Sequence, residues 1–584
     1  MSTEVARDVV AADAQPRRRT SRQYRSGRER ERSRRSALWW LTVLAAVGFL
    51  VWFPIVQLER DAFSGGLSAF ERMADLPRIG ETLRSTVLLA LLSSAFAVVL
   101  GTYLAWCAAT LPRRLRRLGQ IVPLLPLVVP AVAAVTGWIF LLSPSVGYLN
   151  AALRKTPFFD HLTEGPLNVY SLPAMILITG LLLTSFVFLY VQTGLRSIGE
   201  EYEAAAAVSG AGPMRRFFTI TLPLLRPSIV HAAGIVFLLG MGQFTVPLLL
   251  GRNQGVDVLT TEMYRLTLTY PIDYPLGAAL GSPLLIAGLL LIILQRVIIG
   301  DQRRFVVVSA RSRNDVRKPR RGSAVVILTY FVLSTVLPLL ALIYVAFSRY
   351  WSGDLDFSGM TTANFEEVLF HRPQLTDAIW NSVSTATVAV LIVIPLGFAC
   401  AYAALQTTSI HPRTRRLIDI TVGLPVAIPA ALFGFAMLFA YTRAPFQLYG
   451  TTAILVVTYV TLMLPHGTRL QLSSLIATGQ EFREASRASG AGPIRTFLFV
   501  LLPMSRKGIA AAAAIMFVLL FHEFTASLMV RSSQTQVMGS ILYDIYTGGL
   551  YPQVAVMALI MVVVTMAGVG AAMAIGGSDA LEKM

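Results

Sequence analysis

Two ionisable side chains, His522 and Glu523, stand inside one of the most apolar stretches of this 584-residue chain. Phe517–Phe521 precede the pair and Phe524–Met529 follow it. A carboxylate beside an imidazole suits a hard or borderline metal ion or a cationic solute, and an ionisable residue within a membrane span marks a functional site by default. The alternative is structural, with the pair near the outer membrane face and Glu523 in a salt bridge with a neighbour such as Arg531. The sequence leaves both interpretations open.

No catalytic motif accompanies this pair. No span carries a His-Glu-x-x-His zinc site or a Ser/His/Asp set on recognisable spacing. None of the four lysines follows a glycine, so the chain lacks the Gly-Lys-Ser/Thr of an ATP-binding P-loop. The other histidines show no metal-ligand spacing and are given no role: His161, His231, His371, His411 and His466. The sequence therefore predicts no catalytic residue, no cofactor bound by this chain, and at most a transient metal contact at His522 and Glu523.

The elements that must position these residues are membrane helices. The chain is 55% hydrophobic and only 14% charged, where about 25% charged is ordinary for a soluble protein. Runs of about 20 apolar residues are long enough to cross the bilayer, and backbone groups in lipid must bond within their own helix. Twelve such runs are predicted, of which the tenth is the weakest: 37–58, 85–109, 118–143, 171–192, 227–250, 275–298, 323–347, 380–405, 416–441, 450–466, 508–530 and 552–576.

The net charge of +18 follows from topology rather than from nucleic-acid binding. Basic clusters such as Arg113–Arg117 and Arg317–Arg321 fall between spans on one predicted side. Lys and Arg accumulate in cytoplasmic loops, beside anionic lipid. This pattern places both termini in the cytoplasm and predicts lipid, not nucleic acid, as the partner of these charges. Residues 1–36 are rich in Arg and Ser and are predicted to form a disordered basic cytoplasmic arm.

The chain is an internal duplication. Glu201–Pro223 returns 280 positions later as Glu481–Pro503 without a gap, and a spacing near half the length indicates two related halves. Six crossings in each half leave both in the same orientation, related by an axis along the membrane normal. The predicted organisation is the arm 1–36, a first repeat 37–298 with a polar loop 193–226, a basic linker 299–322, a second repeat 323–576 with a polar loop 467–507, and a cytoplasmic tail 577–584.

Other landmarks keep the repeat. Leu125–Pro130 (LPLVVP) in the third span matches Leu424–Pro429 (LPVAIP) in the ninth. Gln243 and Phe244 stand 280 residues before Glu523 and Phe524. Related positions of the two halves are expected to face each other across the axis, where a pathway would run. The candidate pathway residues are therefore Gln243, Phe244, His522 and Glu523.

Each duplicated loop is predicted to be a rigid elbow. Its Ala-rich first part favours a helix, Gly210 and Gly490 suit the left-handed position that ends one, and Pro213 and Pro493 suit the first turn of the next. A short helix, a tight turn and a second helix would then lead into the following span. Such a device on the cytoplasmic face can transmit a push from a partner to a membrane helix.

The loops resemble the Glu-Ala-Ala signature of the permease subunits of bacterial binding-protein-dependent ABC importers. Glu484-Ala485-Ser486 stands six residues before Gly490, as in that family, whereas the first copy has Ala204-Ala205-Ala206 in the frame and Glu203 one position early. The resemblance covers most of the chain and is greatest to fused permeases of the ferric-iron and thiamine type, through Gln243–Gly251 and Glu523–Met529.

The resemblance implies an all-α, type I importer permease fold in the bacterial cytoplasmic membrane. It implies two copies of an ATP-binding-cassette ATPase subunit, which would hold ATP and Mg²⁺, and an extracytoplasmic substrate-binding protein. Arg252 and Arg531 follow equivalent spans and are candidates for docking that protein, or else ordinary helix-end arginines. The ATPase-coupling residues implied are Glu201, Glu203, Ala205, Gly210, Pro213, Glu481, Glu484, Ala485, Gly490 and Pro493.

Ferric iron is the leading cargo, and thiamine, polyamines and phosphonates are alternatives. Two other classes of protein compete with an importer subunit. A secondary transporter would need several ion-binding acids in its spans, and Glu523 is nearly alone. An intramembrane enzyme would need one of the catalytic motifs that the sequence lacks.

Overall fold

The computed structural model describes residues 17–197, 200–251, 254–299, 321–405, 410–477 and 480–576. Within these ranges the chain is helical and no strand is present. The first half contains α1 (Arg17–Ala62), α2 (Ser68–Ala74), α3 (Ile79–Ala109), α4 (Arg113–Ile121), α5 (Ala131–Leu142), α6 (Tyr148–Arg154), α7 (Leu172–Ser197), α8 (Glu200–Val208), α9 (Pro213–Arg216), α10 (Leu222–Met241), α11 (Thr245–Leu250), α12 (Leu259–Thr267) and α13 (Tyr274–Ile299).

The second half repeats this order. It contains α14 (Arg321–Phe331), α15 (Leu337–Phe347), α16 (Ala363–Glu366), α17 (Pro373–Leu405), α18 (Pro412–Ala427), α19 (Ala430–Thr442), α20 (Thr452–Ala477), α21 (Gln480–Ala488), α22 (Pro493–Thr496), α23 (Leu502–Phe521), α24 (Thr525–Val530), α25 (Met538–Thr547) and α26 (Tyr551–Gly576).

Ten stretches in the described residues are long and apolar enough to cross a membrane as predicted, and the other two predicted spans are bent. The third breaks between Leu127 and Ala131 with an angle of 86°, and the ninth breaks between Ala427 and Ala430 with an angle of 109°. The prediction of two continuous helices there is wrong. Both breaks fall at the second proline of the repeated Leu-Pro-x-x-x-Pro motif, because proline lacks the N–H that would continue the helix and clashes with the preceding turn.

The first bent pair crosses the membrane despite its break. It begins just after Thr110, whose hydroxyl lies 2.8 Å from that of Ser323 at the start of α14. It leads into the segment that carries Lys155, which forms a salt bridge with Asp354 beyond the end of α15. Ser323 and Asp354 lie at opposite ends of one span, so the bent pair runs from one membrane face to the other.

The second bent pair crosses by the same reasoning. It follows α17, whose Tyr402 ring contacts Trp40 near the inner end of the α1 span. It ends at Arg443, which forms a 2.7 Å salt bridge with Asp61 at the outer end of α1. Each half therefore has six crossings, which keeps the two halves parallel.

The halves exchange their first helices. Helix α1 packs against α18 and α19 of the second half, and α15 packs against α5 of the first half. A single apolar core consequently runs through both halves, with residues such as Val47, Leu280, Phe433 and Val556 in the same cluster. The interface between halves is part of the hydrophobic core rather than a surface contact.

Several predicted boundaries differ from the structure. Helix α1 begins at Arg17, so the second part of the predicted disordered arm 1–36 is helical, because Arg and Glu favour a helix once the adjoining span provides its first turns. Residues 1–16, most of the linker and the tail 577–584 lie outside the described residues. The polar loops are shorter than 193–226 and 467–507, since α7 ends at Ser197 and α20 continues to Ala477.

Candidate functional site

The two elbows have the same backbone. The first elbow (residues 200–221) and the second elbow (residues 480–501) each comprise a nine-residue helix, a turn, a four-residue helix and a π-helical segment. Gly210 and Gly490 both have φ of +78°. The N–H of Ala211 donates to the carbonyl of Ala206, at 3.0 Å, in the way that closes a helix with a left-handed residue. The prediction of a helix, tight turn and restarting helix is confirmed in both copies.

The glycines are required by backbone conformation and not by crowding. A Cβ atom built on Gly210 or Gly490 meets no atom within 4 Å. The left-handed region nevertheless costs other L-residues about 1–2 kcal/mol. The close approach of a neighbour, which is the other usual reason for glycine, is therefore absent at these two turns.

The candidate coupling residues lie on the two elbow helices. Helix α8 contains Glu201, Glu203 and Ala205, and α21 contains Glu481, Glu484 and Ala485. Glu481, Glu484, Ala485 and Ala205 are exposed, and Pro213 and Pro493 begin the restarting helices. The structure thus brings these predicted residues together on each elbow, and their contact with an ATPase stays a prediction.

Two exposed aromatic residues on the elbows were missed from the sequence. Tyr202 is 44% exposed and Phe482 is 50% exposed, and they are repeat mates. Val208 at the end of α8 is 90% exposed. The 280-residue offset was the signal that would have found the aromatic pair, because an exposed aromatic at the same place in both copies indicates a common binding surface.

Each elbow is joined to a membrane helix through a π-helical segment. Phe217–Thr221 leads directly into α10, and Phe497–Leu501 leads directly into α23. Single π turns inside α-helices are rare and are frequent at functional sites. The helix therefore continues without a break from each restarting helix into α10 or α23.

Both membrane helices break near the ends opposite the elbows. Helix α10 ends at Met241 and α11 begins at Thr245, while α23 ends at Phe521 and α24 begins at Thr525. The four candidate pathway residues lie in these two gaps. The sequence predicted that these residues lie within continuous membrane helices, and that prediction is wrong.

Glu523 caps the helix that follows it. Its carboxylate accepts hydrogen bonds from the backbone N–H of Ala526 at 2.7 Å and of Ser527 at 2.8 Å, and also from the Ser527 hydroxyl. The hydroxyl of Tyr459 lies 2.8 Å from that of Ser527 and extends the network into α20. The carboxylate thus satisfies the free N–H groups of a helix start. It forms no salt bridge with Arg531, which the structural alternative had suggested.

The other three gap residues make fewer polar contacts. The Gln243 side-chain oxygen accepts the N–H of the adjacent Phe244 at 3.1 Å. Nδ1 of His522 lies 3.4 Å from the Thr565 hydroxyl. Neither side chain caps a helix in the way that Glu523 does.

Four aromatic rings from the two halves pack together at this level. The rings of Phe244 and Phe524 are 6.0 Å apart, and those of Tyr264 and Tyr543 are also 6.0 Å apart. Each pair consists of equivalent residues from the two halves, so both contacts lie on the pseudo-twofold axis. All four residues are at most 5% exposed. We name them the axial aromatic cluster; Tyr264 and Tyr543 were not found from the sequence.

Matching hydrogen bonds hold the two tyrosine-bearing helices. The Val258 N–H donates to the Thr261 hydroxyl and the Val537 N–H donates to the Ser540 hydroxyl, both at 3.0 Å. A hydroxyl of the neighbouring long helix accepts the next backbone N–H in each half: the Leu259 N–H donates to Thr86, and the Met538 N–H donates to Ser382. The cluster is therefore positioned by a symmetric polar frame.

Of the two arginines predicted to dock the binding protein, the structure describes only Arg531. Arg252 lies outside the described residues. The Arg531 side chain is only 15% exposed and is held by Asp544, with one Nη–Oδ1 distance of 2.7 Å. In this conformation Arg531 offers little surface to a docking protein and instead braces α25.

A charged cleft of about 360 Å³ opens at the outer end of the first half. Its polar lining includes Arg78, Arg84, Asp257, Glu262 and Arg265. Burial raises the pKa of the Glu262 carboxyl, and the guanidinium of Arg265 opposes that rise. Because both positive and negative groups line it, the cleft has a mixed charge rather than a metal-binding character.

No metal centre is present in the part of the chain that the structure describes. No three His, Cys, Asp or Glu side chains there lie close enough to hold an ion. His522 and Glu523 are adjacent but have no third ligand.

Comparisons with known proteins agree with this architecture. The sequence model of the family described as "Binding-protein-dependent transport system inner membrane component" matches residues 97–304 and 393–576, one match in each half. Each matched region contains one elbow and the broken helix that follows it.

Three relatives indicate the range of similarity. The ferric transport system permease protein FbpB of Actinobacillus pleuropneumoniae is 25% identical over 540 residues, which cover 90% of this chain and 76% of that protein. The putative ferric transport system permease protein FbpB 1 of Haemophilus influenzae is 24% identical over 509 residues, covering 85% and 78%. The sulfoquinovosyl glycerol transport system permease protein SmoG of Agrobacterium fabrum is 31% identical over 252 residues, covering 40% and 80%.

Proposed function

Because this chain belongs to the family of binding-protein-dependent transport system inner membrane components, we propose that it is the fused permease of an ATP-driven importer. It is a multi-pass membrane protein with one family repeat in each half. In this proposal it receives a small solute, with ferric iron as the first candidate, from an extracytoplasmic binding protein. It releases the solute into the cytoplasm by alternating access, and both of its termini lie in the cytoplasm.

The duplicated elbow is the observation that carries the proposal. Two elbows of the same backbone, each joined to a membrane helix, match a partner that presents two equivalent surfaces. We assign that partner as two copies of an ATPase subunit, with Tyr202 and Phe482 as contacts beside the predicted coupling residues. A half-exposed aromatic at a cytoplasmic helix gains binding energy when a partner buries it.

The route from elbow to pathway follows the described helices. Movement of the second elbow is carried through Phe497–Leu501 and α23 to the gap at His522 and Glu523. There Phe524 meets Phe244 of the other half at the axis. A small rotation of α10 and α23 in opposite senses separates the axial aromatic cluster and opens the path to the outer face. ATP binding and hydrolysis on the partner supply the energy for this cycle.

The cargo assignment rests on the named relatives. Two ferric transport permeases match along most of the chain at about one quarter identity. This similarity makes ferric iron the first solute to test, ahead of thiamine, polyamines and phosphonates.

The proposal is tested by uptake into proteoliposomes that contain this chain with its ATPase subunit and binding protein. We expect ⁵⁵Fe(III) uptake that requires ATP and that ceases when the catalytic carboxylate of the ATPase is neutralised. Uptake that continues with the inactive ATPase and follows an imposed ion gradient would show a secondary transporter instead. Thiamine and spermidine, supplied with their own binding proteins, serve as alternative cargoes.

A further inference from the structure

Three nitrogen-bearing side chains from the two halves lie within electrostatic range of one another in the cytoplasmic part of the spans. His231 lies on α10, and His466 and Arg469 lie on α20. The ring of His231 packs edge-on against Tyr190 of α7, with centroids 5.3 Å apart. The guanidinium of Arg469 lies near enough for its charge to act on His466, and on His231 and Tyr190 of the other half. We name His231, His466 and Arg469 the inner basic cluster.

This cluster faces a gap between the halves rather than lipid. His466 and Arg469 are three residues apart and share one face of α20, where both are exposed, while Pro465, Gly467 and Thr468 are buried. A face exposed within a span looks either at lipid or at a space inside the protein. The interactions of Arg469 with residues of α7 and α10 place it toward the opposite half, and an arginine in lipid is costly.

Arg469 does not stand at the end of its helix. Helix α20 continues for eight residues beyond it, to Ala477, which corresponds to about 12 Å of helix. The repeat mates of His466 and Arg469 are Phe186 and Leu189. The charge of Arg469 is therefore a feature of the second half that the repeat does not require.

The charge of Arg469 is not balanced by a carboxylate. The helices α7, α10, α20 and α23 contain no Asp or Glu, and no salt bridge involves Arg469 among the described residues. Elsewhere at the axis, the carboxylate of Glu523 is engaged in capping α24. A bare cation would consequently meet a like charge at the inner basic cluster and find no set of ligands there.

We propose that the inner basic cluster receives a negatively charged group of the transported solute, so that the cargo passes as an anion or as a metal complexed by an anion. The inference rests on the proposed importer function and specifies its substrate class. Arg469 supplies the fixed positive charge, and the imidazoles of His231 and His466 supply hydrogen bonds. The group recognised is a carboxylate or a phosphate, and iron crosses with such a ligand rather than as the free ion.

The test measures binding of two probes, [¹⁴C]citrate and inorganic [³²P]phosphate, to the purified full chain in detergent. We expect saturable binding of at least one probe by the wild type. Arg469→Gln should weaken it at least tenfold, whereas Arg469→Lys, which keeps the charge, should stay within about threefold. Arg413→Gln removes an exposed arginine of α18 on the cytoplasmic face and serves as the matched control, with no expected change.

Three outcomes would overturn the proposal: no saturable binding of either probe by the wild type, equal binding by Arg469→Gln, or loss in Arg413→Gln as large as in Arg469→Gln. His466→Gln provides a second variant if Arg469→Gln is not recovered in the membrane, and binding as tight as wild type in that variant would count against the cluster.

Co-purification with the ATPase subunit separates this proposal from the proposed function. If the ATPase co-purifies with every variant while the probes bind equally, the anion site is wrong and the importer function stands. If no ATPase associates with the wild-type chain, the importer function itself is wrong.

Discussion

The two halves of this protein share one backbone plan and carry different side chains on it. At the elbows, the Ser486 hydroxyl lies 2.8 Å from that of Thr496 across the turn of the second elbow. The first elbow has Ala206 and Arg216 at these positions. The second elbow is thus braced by a side-chain hydrogen bond that is specific to it.

The same difference recurs deeper in the membrane. Arg469 of α20 corresponds to Leu189 of α7, and the helix-capping Glu523 corresponds to Gln243. In each case the second half holds the more polar group. The symmetric backbone is thus combined with polar side chains that differ between the halves at these positions.

The largest effect is expected at the shared backbone. Gly490→Val should abolish coupled transport while the chain still inserts. The left-handed backbone at φ +78° costs an ordinary L-residue about 1–2 kcal/mol, and it costs a β-branched residue more. Gly490→Asn should retain most transport, since asparagine tolerates this region and the space around the position is open. ATP-dependent uptake at matched expression is the measurement, and wild-type rates for Gly490→Val would contradict the coupling role.

The next effect distinguishes the two gaps. Glu523→Leu should strongly reduce uptake and membrane abundance, because two backbone N–H groups lose their acceptor at about 1–3 kcal/mol each. Glu523→Gln keeps one acceptor and should reduce uptake with less effect on abundance. Gln243→Leu is the matched control and should be mild, since Gln243 accepts only the neighbouring N–H. Equal losses in Glu523→Leu and Gln243→Leu would remove the asymmetry between the gaps.

The axial aromatic cluster should behave symmetrically. Phe524→Ala and Phe244→Ala each delete a buried ring on the axis and should produce an ATP-independent leak of small solutes, in similar amounts. Proteoliposomes loaded with a fluorescent dye of low mass measure this leak. Tyr543→Phe keeps the ring and should remain tight. A leak from only one of the two alanine variants would place the constriction off the axis.

The exposed aromatic residues of the elbows should also contribute alike. Phe482→Ala and Tyr202→Ala are each expected to weaken association with the ATPase by about 1–2 kcal/mol, within the range of truncated interface aromatics. Titration of purified ATPase onto the chain in nanodiscs gives the affinity. Met504→Ala, on the exposed side of α23 beyond the second elbow, is the control. Unchanged affinity in both aromatic variants would remove them from the contact surface.

The smallest effect tests the loop asymmetry seen in the sequence. Glu484 occupies the family frame, whereas Ala204 stands at that position in the first elbow. Glu484→Ala should therefore impair coupled ATP hydrolysis more than Glu203→Ala, by a few-fold. Equal losses in a reconstituted ATPase assay would show that the frame position carries no special role.

The repeat, the helical class and the elbows were predictable because each depends on local pattern. A glycine that follows a run of helix formers and precedes a proline favours a turn between two helices. Both elbows contain this pattern. The breaks after Leu127 and Ala427 were not predicted, because hydropathy measures whether a stretch is apolar and not whether it is straight. The repeated second proline of the motif was the available signal.

The inner basic cluster shows how one boundary error hides a site. The tenth span was predicted to end at residue 466, so Arg469 was assigned to a polar loop and not treated as an ionisable residue in the membrane. Helix α20 includes it, since packing against α17 and α23 stabilises a helix whose inner end is too polar for a hydropathy window. Tyr264 and Tyr543 were hidden for another reason: their pairing depends on how the halves meet.

The exchange of first helices has a consequence for assembly. Helix α1 lies on the second half and α15 on the first, so neither half can complete its apolar core without the other. The second half made alone would leave α18 and α19 without α1, and the first half made alone would leave α5 without α15. The covalent linker at 299–322 therefore fixes the ratio of the halves at one to one and the order of their synthesis, while the strength of their union comes from interlocked packing. Two separately translated halves, each beginning with its own first helix, contain every contact needed to rebuild the whole.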